Sequence, residues 1–499
     1  MLSIVLSIST SGQISAEDVR KHVYFLASDY TEGRLSGSHG NQIARDYIEF
    51  YLKKLGYDVI EQKFPIPGKI HVEEFAVEPN LPLKPLYFSS SGDIRGRLGR
   101  DIQVIDADSL SEFDMMMKAI DARENGKKAV IFLVSRPILQ RSYFRNDLKI
   151  VALQMEKKDE NLLRNQREVH IHLKVKKENI TGINLIAIKK GQPGSRYIMV
   201  GAHYDHLGYG PMGSMKPDLM DIHNGADDNA SGVAGVLELA EYFAHRSTSH
   251  GLVFVFWDAE ELGLLGSKYY IEHPVIPLDS ILAYLNFDMI GRMRDSTLYL
   301  IGIKTAREFQ GIVDSLKGLY ALKIKSSDSG FGASDQNAFY SSRVPVLHFF
   351  TGAHSDYHTP FDDPEKLNYR GEETVLKFAR DLILTLDEFG SLKYVKLEMP
   401  SGPSRTRLKV SLGVIPDYAS SGGEGLRIFG TRKDSPAYRA GLREGDVIIK
   451  IGNYRIKNIY DLMYALSRYN PGDEAEIVYL RDGREIRSRV KFEKARRMR

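Results

Sequence analysis

Five short apolar runs between residues 184 and 389 constrain the fold of this chain more than any other feature. The runs are Leu185–Ile188, Tyr197–Val200, Leu252–Trp257, Ile281–Phe287 and Val344–Phe350. They are apolar nearly throughout, as strands buried on both faces of a parallel sheet are. Helical patterns at Ser231–His245 and Glu372–Phe389 separate or flank them. The alternation predicts an α/β fold with a mixed, mainly parallel open sheet and helices on both faces.

A further helical pattern lies upstream of these runs. Apolar side chains recur every four residues over Asn41–Leu55, and Gly56 supplies a stop. Between this helix and the first apolar run, residues 73–178 show short strand-like runs without long helices, which predicts an inserted β-rich domain. The main domain is therefore predicted to comprise residues 17–72 and 179–390.

The last hundred residues show a different texture. Residues 391–404 contain Pro400, Gly402 and Pro403 and predict a linker. Residues 405–495 predict a small β domain with a helix at Ile459–Arg468 and a hairpin at Asp482-Gly483.

Composition excludes several classes of protein. The 68 basic and 65 acidic side chains give a net charge of +3, too balanced for a nucleic-acid surface. There are no cysteines, so disulfides and thiolate metal sites are excluded, and any metal must be held by histidine and carboxylate. No apolar run reaches about 18 residues, which predicts no transmembrane segment.

The two ends of the chain each carry a distinctive run. Leu2–Ile8 is apolar and is followed by polar residues up to Ala16, which resembles an export signal without its basic start. We therefore predict a signal segment over residues 1–16 and a secreted or periplasmic protein; the alternative is a plain N-terminal strand. The basic cluster at residues 494–499 is typical of a solvated end.

Polar residues cluster where the apolar strands end or where helices begin. The segments are His203-Tyr204-Asp205-His206, Asp227–Gly232, Asp258–Glu261, Asn286–Asp288 and Tyr357–Pro360. Because open α/β sheets build their sites at the carboxyl ends of strands, we expect these side chains to converge. Imidazole and carboxylate together suit zinc-like divalent ions, and the inventory fits a pair of ions that share one carboxylate.

The adjacent pair Glu260-Glu261 is the most informative segment. Neighbouring residues in a turn point in different directions, so one carboxylate can bind metal while the other acts as a general base. Each segment alone has a simpler interpretation: Asp228 could complement a helix N-terminus, and Glu260-Glu261 could be the acidic first turn of a helix. His206 and Asp227 are predicted to be structural or supporting residues. The occurrence of all five segments at strand or helix ends favours a metal site.

The same segments resemble a known family. His203–His206, Gly225–Gly232, Ala259–Ser267, Asn286–Gly291 and Tyr357-His358 are similar to motifs of the co-catalytic di-zinc aminopeptidases. That family includes secreted bacterial leucine aminopeptidases and, more distantly, glutamate carboxypeptidase and the transferrin receptor. The resemblance covers about residues 20–70 and 180–390, with the motifs in the family's order.

The resemblance implies a role for each matching residue. Two Zn²⁺ ions would be bridged by Asp228, although these residue types do not select zinc over cobalt or manganese. The implied terminal ligands are His203 and Asp288 for one ion and Glu261 and His358 for the other. Glu260 would be the general base, Asp205 would orient His203, and Tyr357 would stabilise the oxyanion. Ser334-Asp335-Gln336 would either line the substrate's amine and side-chain region or form a structural turn.

The two flanking segments resemble accessory domains. The insert at 73–178 is similar in placement and texture to a protease-associated domain. The last segment resembles a bacterial PDZ domain through Ser411–Val414, Gly425–Ile428, Ser435–Ala437 and Gly445–Ile448. Backbone amides near Leu412, Gly413 and Val414 would receive a peptide C-terminus, or the unit would dock without binding a free peptide.

These observations predict a metal-dependent exopeptidase that removes N-terminal residues from peptides. Within the same fold a carboxypeptidase is the alternative; a glutaminyl cyclase fits less well, because that relative uses one zinc ion. A non-catalytic interaction protein, acting through its PDZ-like and inserted domains, is the alternative of a different class. The expected partners are peptide substrates and a protein C-terminus at the PDZ-like domain.

Overall fold

A computed structural model describes residues 12–494, apart from 109, 111, 136–137, 139–147, 211–212, 217–218, 398–409, 417–424, 432–433 and 457–458. The apolar stretch Leu2–Ile8, residues 398–404 of the predicted linker and residues 495–499 lie outside the described residues. No helix in the described part of the chain is long and apolar enough to cross a membrane. The chain divides into two compact units, Met1–Phe64 with Gly182–Met498, and Pro65–Thr181.

The helices and strands are numbered in chain order. The helices are α1 (Ala16–Leu26), α2 (His39–Lys54), α3 (Glu112–Glu124), α4 (Glu160–Arg164), α5 (Gly232–Ala244), α6 (Leu265–Glu272), α7 (Phe309–Leu316), α8 (Gln336–Ser341), α9 (Tyr369–Leu386), α10 (Pro436–Arg439) and α11 (Ile459–Ser467). The strands are β1 (Asp58–Glu78), β2 (Lys84–Pro85), β3 (Gly92–Arg97), β4 (Ile102–Asp106), β5 (Ala129–Val134), β6 (Val151–Glu156), β7 (Glu168–Lys189), β8 (Tyr197–His203), β9 (Gly208–Tyr209), β10 (Ile222–His223), β11 (Gly251–Trp257), β12 (Ile281–Phe287), β13 (Thr297–Ile301), β14 (Lys323–Ser327), β15 (Val346–Phe350), β16 (Val410–Ser411), β17 (Val414–Pro416), β18 (Leu426–Thr431), β19 (Val447–Ile451), β20 (Tyr454–Arg455), β21 (Glu474–Arg481), β22 (Arg484–Lys491) and β23 (Glu493–Lys494).

The large sheet has the strand order β1-β7-β11-β8-β12-β15-β13-β14, and β3 also pairs with β7. Its centre is parallel, because β8 pairs in parallel with both β11 and β12, and β12 does so with β15. Antiparallel pairs flank this centre, β7 with β11 on one side and β13 with β15 on the other. The predicted mixed, mainly parallel sheet is confirmed.

Helices cover both faces of this sheet because its buried strands are apolar on both faces. Successive strand residues point to opposite faces, so Leu185 and Ala187 join one core while Ile186 joins the other. The first core receives α1, α2, α5, α7 and α9, and the second receives α6 and α8. Helix α2 lies within two residues of its prediction, whereas sequence analysis did not identify α1.

The second unit contains a four-stranded sheet of order β2-β6-β5-β4. Strands β4, β5 and β6 are parallel, and parallel neighbours need a crossover connection. Helix α3 provides one such connection, so the expectation that this segment lacks long helices was wrong. Met115, Ala119 and Ala122 recur at helical spacing and are buried in this unit's core, a pattern that alanines and methionines made inconspicuous.

The C-terminal segment forms a separate sheet of order β17-β18-β19-β21-β22 around its own apolar core. The hairpin between β21 and β22 turns at Asp482-Gly483, whose φ angles of 50° and 75° suit a tight two-residue turn. Helix α11 ends one residue before its predicted end.

Candidate metal centre

The predicted site lies where the central parallel strands end. His203 is the last residue of β8 and pairs in register with Trp257, the last residue of β11. Strand β12, on the other side of β8, ends at Phe287. The segments that follow these strands therefore meet at one edge of the sheet, as expected for an open α/β fold.

Asp228 reaches this edge from the turn that precedes α5. Its carboxylate is almost completely buried, with 5% of the side chain exposed. The backbone amides of Asp227 and Asp228 both donate to Oδ2 of Asp362, at 2.8 and 3.0 Å. Asn229 donates from its side chain to the carbonyl of Phe287 at 2.9 Å, which joins the turn to the end of β12.

One group of potential ligands contains His203, Asp228 and Asp288. His203 Nε2 lies 3.4 Å from Asp228 Oδ1 and 3.5 Å from Asp288 Oδ1. Ligand atoms about 2.0–2.1 Å from one tetrahedral zinc ion lie about 3.3 Å from each other, so this spacing suits a shared ion. Asp288 Oδ1 is buried without a hydrogen-bond partner among the described residues.

A second group lies on the other side of Asp228. His358 Nε2 is 3.1 Å from Asp228 Oδ2 and 3.3 Å from Glu261 Oε2. Asp228 thus directs Oδ1 towards His203 and Oδ2 towards His358. Histidine and carboxylate donors at these spacings fit zinc-like cations on both sides.

His206 also belongs to this second group. Its Nδ1 atom lies 2.9 Å from Glu261 Oε1 and 3.9 Å from Asp228 Oδ2, and the side chain is completely buried. His206 is one of the predicted structural or supporting residues, and spacing along the chain does not show which ring faces Glu261. Asp227, assigned to the same category, accepts hydrogen bonds from Ser231 Oγ and the amide of Gly291.

Asp205 connects His203 to the Glu260-Glu261 turn. Its carboxylate accepts hydrogen bonds from the amides of Glu260 and Glu261, at 2.9 and 3.2 Å. His203 Nδ1 lies 3.2 Å from the carbonyl oxygen of Asp205 and 3.6 Å from its carboxylate. This geometry agrees with a role of Asp205 in orienting His203. The same carboxylate also fixes the position of the Glu260-Glu261 turn.

Burial dominates the electrostatics of the two adjacent glutamates. Desolvation and the nearby carboxylates of Glu261, Asp335 and Asp288 raise the pKa of Glu260, against the opposing effect of His203. The pKa of Glu261 falls to about 2, because His358 and hydrogen bonds from both neighbouring histidines outweigh its desolvation and the repulsion from Asp228. Bound cations would lower the pKa of both glutamates from these values.

The remaining predicted residues have distinct surroundings. Tyr357 stacks on His358 with ring centroids 3.8 Å apart. Ser334 and Gln336 accept hydrogen bonds from the side chain of Asn286, at 2.9 and 3.3 Å, which fits a structural turn beneath the site. Asp335 is buried between them, and desolvation raises its pKa to about 7.

Arg34 is a residue of this centre that sequence analysis missed. It is completely buried, and its guanidinium donates to the carbonyls of Leu26, Tyr204, Asn224 and Gly225 at 2.5–3.0 Å. Burial lowers its pKa to about 10, partly offset by attraction to Asp228, Asp205, Asp362 and Glu261. It therefore joins the backbone next to His203 to the backbone before Asp228.

The fold is α/β with a candidate cation site at one edge of its sheet, and comparison with known proteins shows what the chain is similar to. Residues 184–383 match Peptidase family M28, and residues 407–492 match a PDZ domain. The resemblance to zinc aminopeptidases is confirmed: this chain carries a peptidase family M28 domain and a PDZ domain.

Individual relatives agree with this assignment. Aminopeptidase YwaD from Bacillus subtilis is 27% identical over 394 residues, which cover 70% of this chain and 80% of the relative. Leucine aminopeptidase 2 from Trichophyton equinum is 32% identical over 185 residues, or 35% of each chain. The chain thus spans about a third of the length of the leucine aminopeptidases it matches.

Solved structures show the same fold. A zinc aminopeptidase from Bacillus subtilis superimposes with a TM-score of 0.52 at 23% identity, over 76% of this chain and 96% of that chain. An aminopeptidase from Aneurinibacillus sp. strain AM-1 superimposes with a TM-score of 0.51 at 22% identity, over 77% and 97%.

Proposed function

We propose that this protein is a zinc aminopeptidase that holds two ions, one on each side of Asp228. The observation that carries the proposal is the division of the Asp228 carboxylate, with Oδ1 at 3.4 Å from His203 and Oδ2 at 3.1 Å from His358. A shared carboxylate with separate terminal ligands on each side is what a two-ion hydrolase requires. The assignment of aminopeptidase, rather than carboxypeptidase, is supported by the names of the relatives.

Two bound cations would polarise the scissile carbonyl and lower the pKa of water in the site. Glu260 is only partly buried, and its backbone is held by Asp205 beside the ligands. From that position its carboxylate accepts a proton from the attacking water and delivers it to the leaving amine. Tyr357, which stacks on His358, would donate a hydrogen bond to the oxyanion of the substrate.

The proposal is tested with peptides blocked at either end. We expect hydrolysis of peptides that have a free N-terminus and a blocked C-terminus, and loss of hydrolysis when a chelator removes the metal. Cleavage that needs a free C-terminus instead would establish the carboxypeptidase alternative. A full-length chain that binds no divalent ion would establish the non-catalytic alternative.

The role of Glu260 is tested by Glu260→Gln. The variant should lose about 10²–10⁴-fold in kcat, because general acid–base catalysis contributes that much, while it keeps both ions. Glu272→Gln, on the exposed side of α6, is the matched control and should retain full activity. Normal turnover by Glu260→Gln would refute the general base.

The PDZ match supports a second binding activity, for a peptide C-terminus. Strand β17 lies at the edge of its sheet and follows Gly413, whose φ of 75° turns the chain immediately before the strand. A peptide added beside β17 would place its carboxylate near the amides of Leu412, Gly413 and Val414. Fluorescence polarisation with peptides ending in a free or an amidated C-terminus tests this: only the free carboxylate should bind.

A further inference from the structure

One buried side chain in the centre has no part in the proposed chemistry. His206 is completely buried, and its Nε2 atom has no hydrogen-bond partner in the described part of the chain. Its other ring nitrogen, Nδ1, faces Glu261 Oε1 at 2.9 Å. We propose that His206 is a positioning residue, which holds Oε1 of Glu261 so that Oε2 is presented to the cation beside His358. This inference rests on the proposed two-ion function.

The geometry divides the Glu261 carboxylate between two histidines. Oε1 lies 2.9 Å from His206 Nδ1, whereas Oε2 lies 3.3 Å from His358 Nε2. In the proposed arrangement Nδ1 of His206 donates to this oxygen, because an ionised carboxylate only accepts hydrogen bonds. A protonated nitrogen cannot bind a metal ion, which leaves His358 as the ligand of this group.

Distances to the shared carboxylate support the same division. His358 Nε2 is 3.1 Å from Asp228 Oδ2, close to the spacing of about 3.3 Å between two ligands of one tetrahedral ion. His206 Nδ1 is 3.9 Å from the same oxygen, which is too far for an undistorted tetrahedral pair. His206 therefore acts on the ion through Glu261.

The protein fixes the His206 ring without help from an ion. The amide of His206 donates to the carbonyl of Arg34 at 3.2 Å. The ring packs against Gly225 so closely that a Cβ atom there would lie 2.5 Å from His206 Cδ2. Glu261 thus meets a donor whose position is set in advance, and this lowers the cost of ordering its carboxylate for the cation.

Titration of the full-length chain with Zn²⁺, in competition with a chromophoric chelator, tests the proposal. His206→Ala should weaken one of the two binding steps by about 10–100-fold, the usual effect of removing a partner of a metal ligand, and leave the other within about threefold. His206→Asn places an amide donor near the position of Nδ1, so its Zn²⁺ affinity should be within about fivefold of that of the unaltered chain. His245→Asn, on an exposed histidine, is the matched control.

The outcomes separate this role from others. Unchanged binding by His206→Ala would show that the ring only fills space. If His206→Asn binds Zn²⁺ as weakly as His206→Ala, loss of the hydrogen bond to Glu261 does not explain the weaker binding. In that case a changed absorption spectrum of the Co²⁺-loaded variant would identify the ring as a ligand. Should His206→Ala fail to fold by circular dichroism, His206→Asn alone decides between near-normal and weakened binding. Fewer than two binding steps in the unaltered chain would instead overturn the proposed two-ion function.

Discussion

The two sides of Asp228 use the same chemistry but are built from different parts of the fold. On one side, His203 is 1% exposed, ends a central strand and is held by Asp205, itself completely buried. On the other side, the His358 side chain is 14% exposed and follows β15 in a loop. His358 Nδ1 faces the carbonyl oxygen of Gly213 at 3.0 Å, and that carbonyl belongs to another loop. The His203 side, or strand side, is therefore fixed by the sheet. The His358 side, or loop side, depends on contacts between loops.

The turn that contains Gly213, Ser214 and Met215 contacts the backbone of His358 as well as its ring. The amide of Met215 donates to the carbonyl of His358 at 2.8 Å. Ser214 Oγ lies 2.7 Å from His223 Nε2, a hydrogen bond that connects this turn to strand β10. Two of these contacts involve the main chain, and Gly213, Ser214 and Met215 are exposed or half-buried, so we expect this side to be the more easily disturbed.

The largest effect should follow from changing the residue that both sides share. Asp228→Asn removes the negative charge that both groups share and replaces one of the two oxygens by an amide nitrogen, so both ions should be lost and hydrolysis should fall by about 10⁴-fold or more. Asp288→Asn and Glu261→Gln should each release mainly one ion. Metal content of the purified chains by mass spectrometry checks all three. Two retained ions in Asp228→Asn would contradict the bridging role.

Arg34→Met tests how far the strand side depends on a buried cation. The substitution removes the donor that Arg34 supplies to four backbone carbonyls and removes a charge that offsets the carboxylates. We expect a loss of about 3–5 kcal/mol in the free energy of unfolding, as for other broken buried ion networks. Denaturant unfolding of the metal-free chain measures it, with exposed Arg20→Met as a control. A loss below about 1 kcal/mol would show that the centre does not need this cation.

A pair of variants compares the two sides directly. Asp205→Asn replaces one of the oxygens that accept from Glu260 and Glu261, and should weaken the ion at His203 by about 10–100-fold. Ser214→Ala removes the neutral hydrogen bonds that the Ser214 hydroxyl makes with His223, with the carbonyl of His358 and with the amide of Lys216. None of them involves a ligand side chain, so the loss should cost less than about tenfold. Calorimetric titration with Zn²⁺ measures both. If Asp205→Asn lost no more Zn²⁺ affinity than Ser214→Ala, the proposed difference between the two sides would be wrong.

A pH dependence of stability is also expected from the loop side. Burial, with repulsion from His206 and His358, lowers the pKa of His223 to about 4, so the folded loop contains the neutral ring. Because the unfolded chain takes up a proton near pH 6.5 and the folded chain does not, stability falls as pH drops from about 6.5 to about 4. We expect about 2 kcal/mol between pH 7 and pH 5.

The measurement is the free energy of unfolding of the metal-free chain across that range. His223→Gln lacks the titrating ring and should flatten this part of the profile, whereas His245→Gln, at an exposed position, should not. An identical slope in the unaltered chain and in His223→Gln would show that His223 does not carry the dependence.

The strands and helices around the site could be predicted because their signals are local. Each buried strand is an apolar run with at most a few polar residues, and β12 has the bounds Ile281–Phe287 that its run predicts. Helix α3 was missed because its segment resembled short strand runs, and its buried face contains alanine and methionine rather than larger apolar residues. The bounds of the inserted domain, the export signal and the roles of the site residues stay predictions.

The sequence by itself determined the kinds of donor available and their places at strand ends: no thiols, several carboxylates, and histidines at 203, 206 and 358. Only the tertiary structure decided which histidine faces which carboxylate, because contacts such as His206 with Glu261 join residues far apart along the chain. It also decided that Arg34 would lie between Tyr204 and Gly225, 170 and 191 residues away. The physical reason is that buried charges need partners, and folding brings those partners together from segments whose local patterns do not indicate one another.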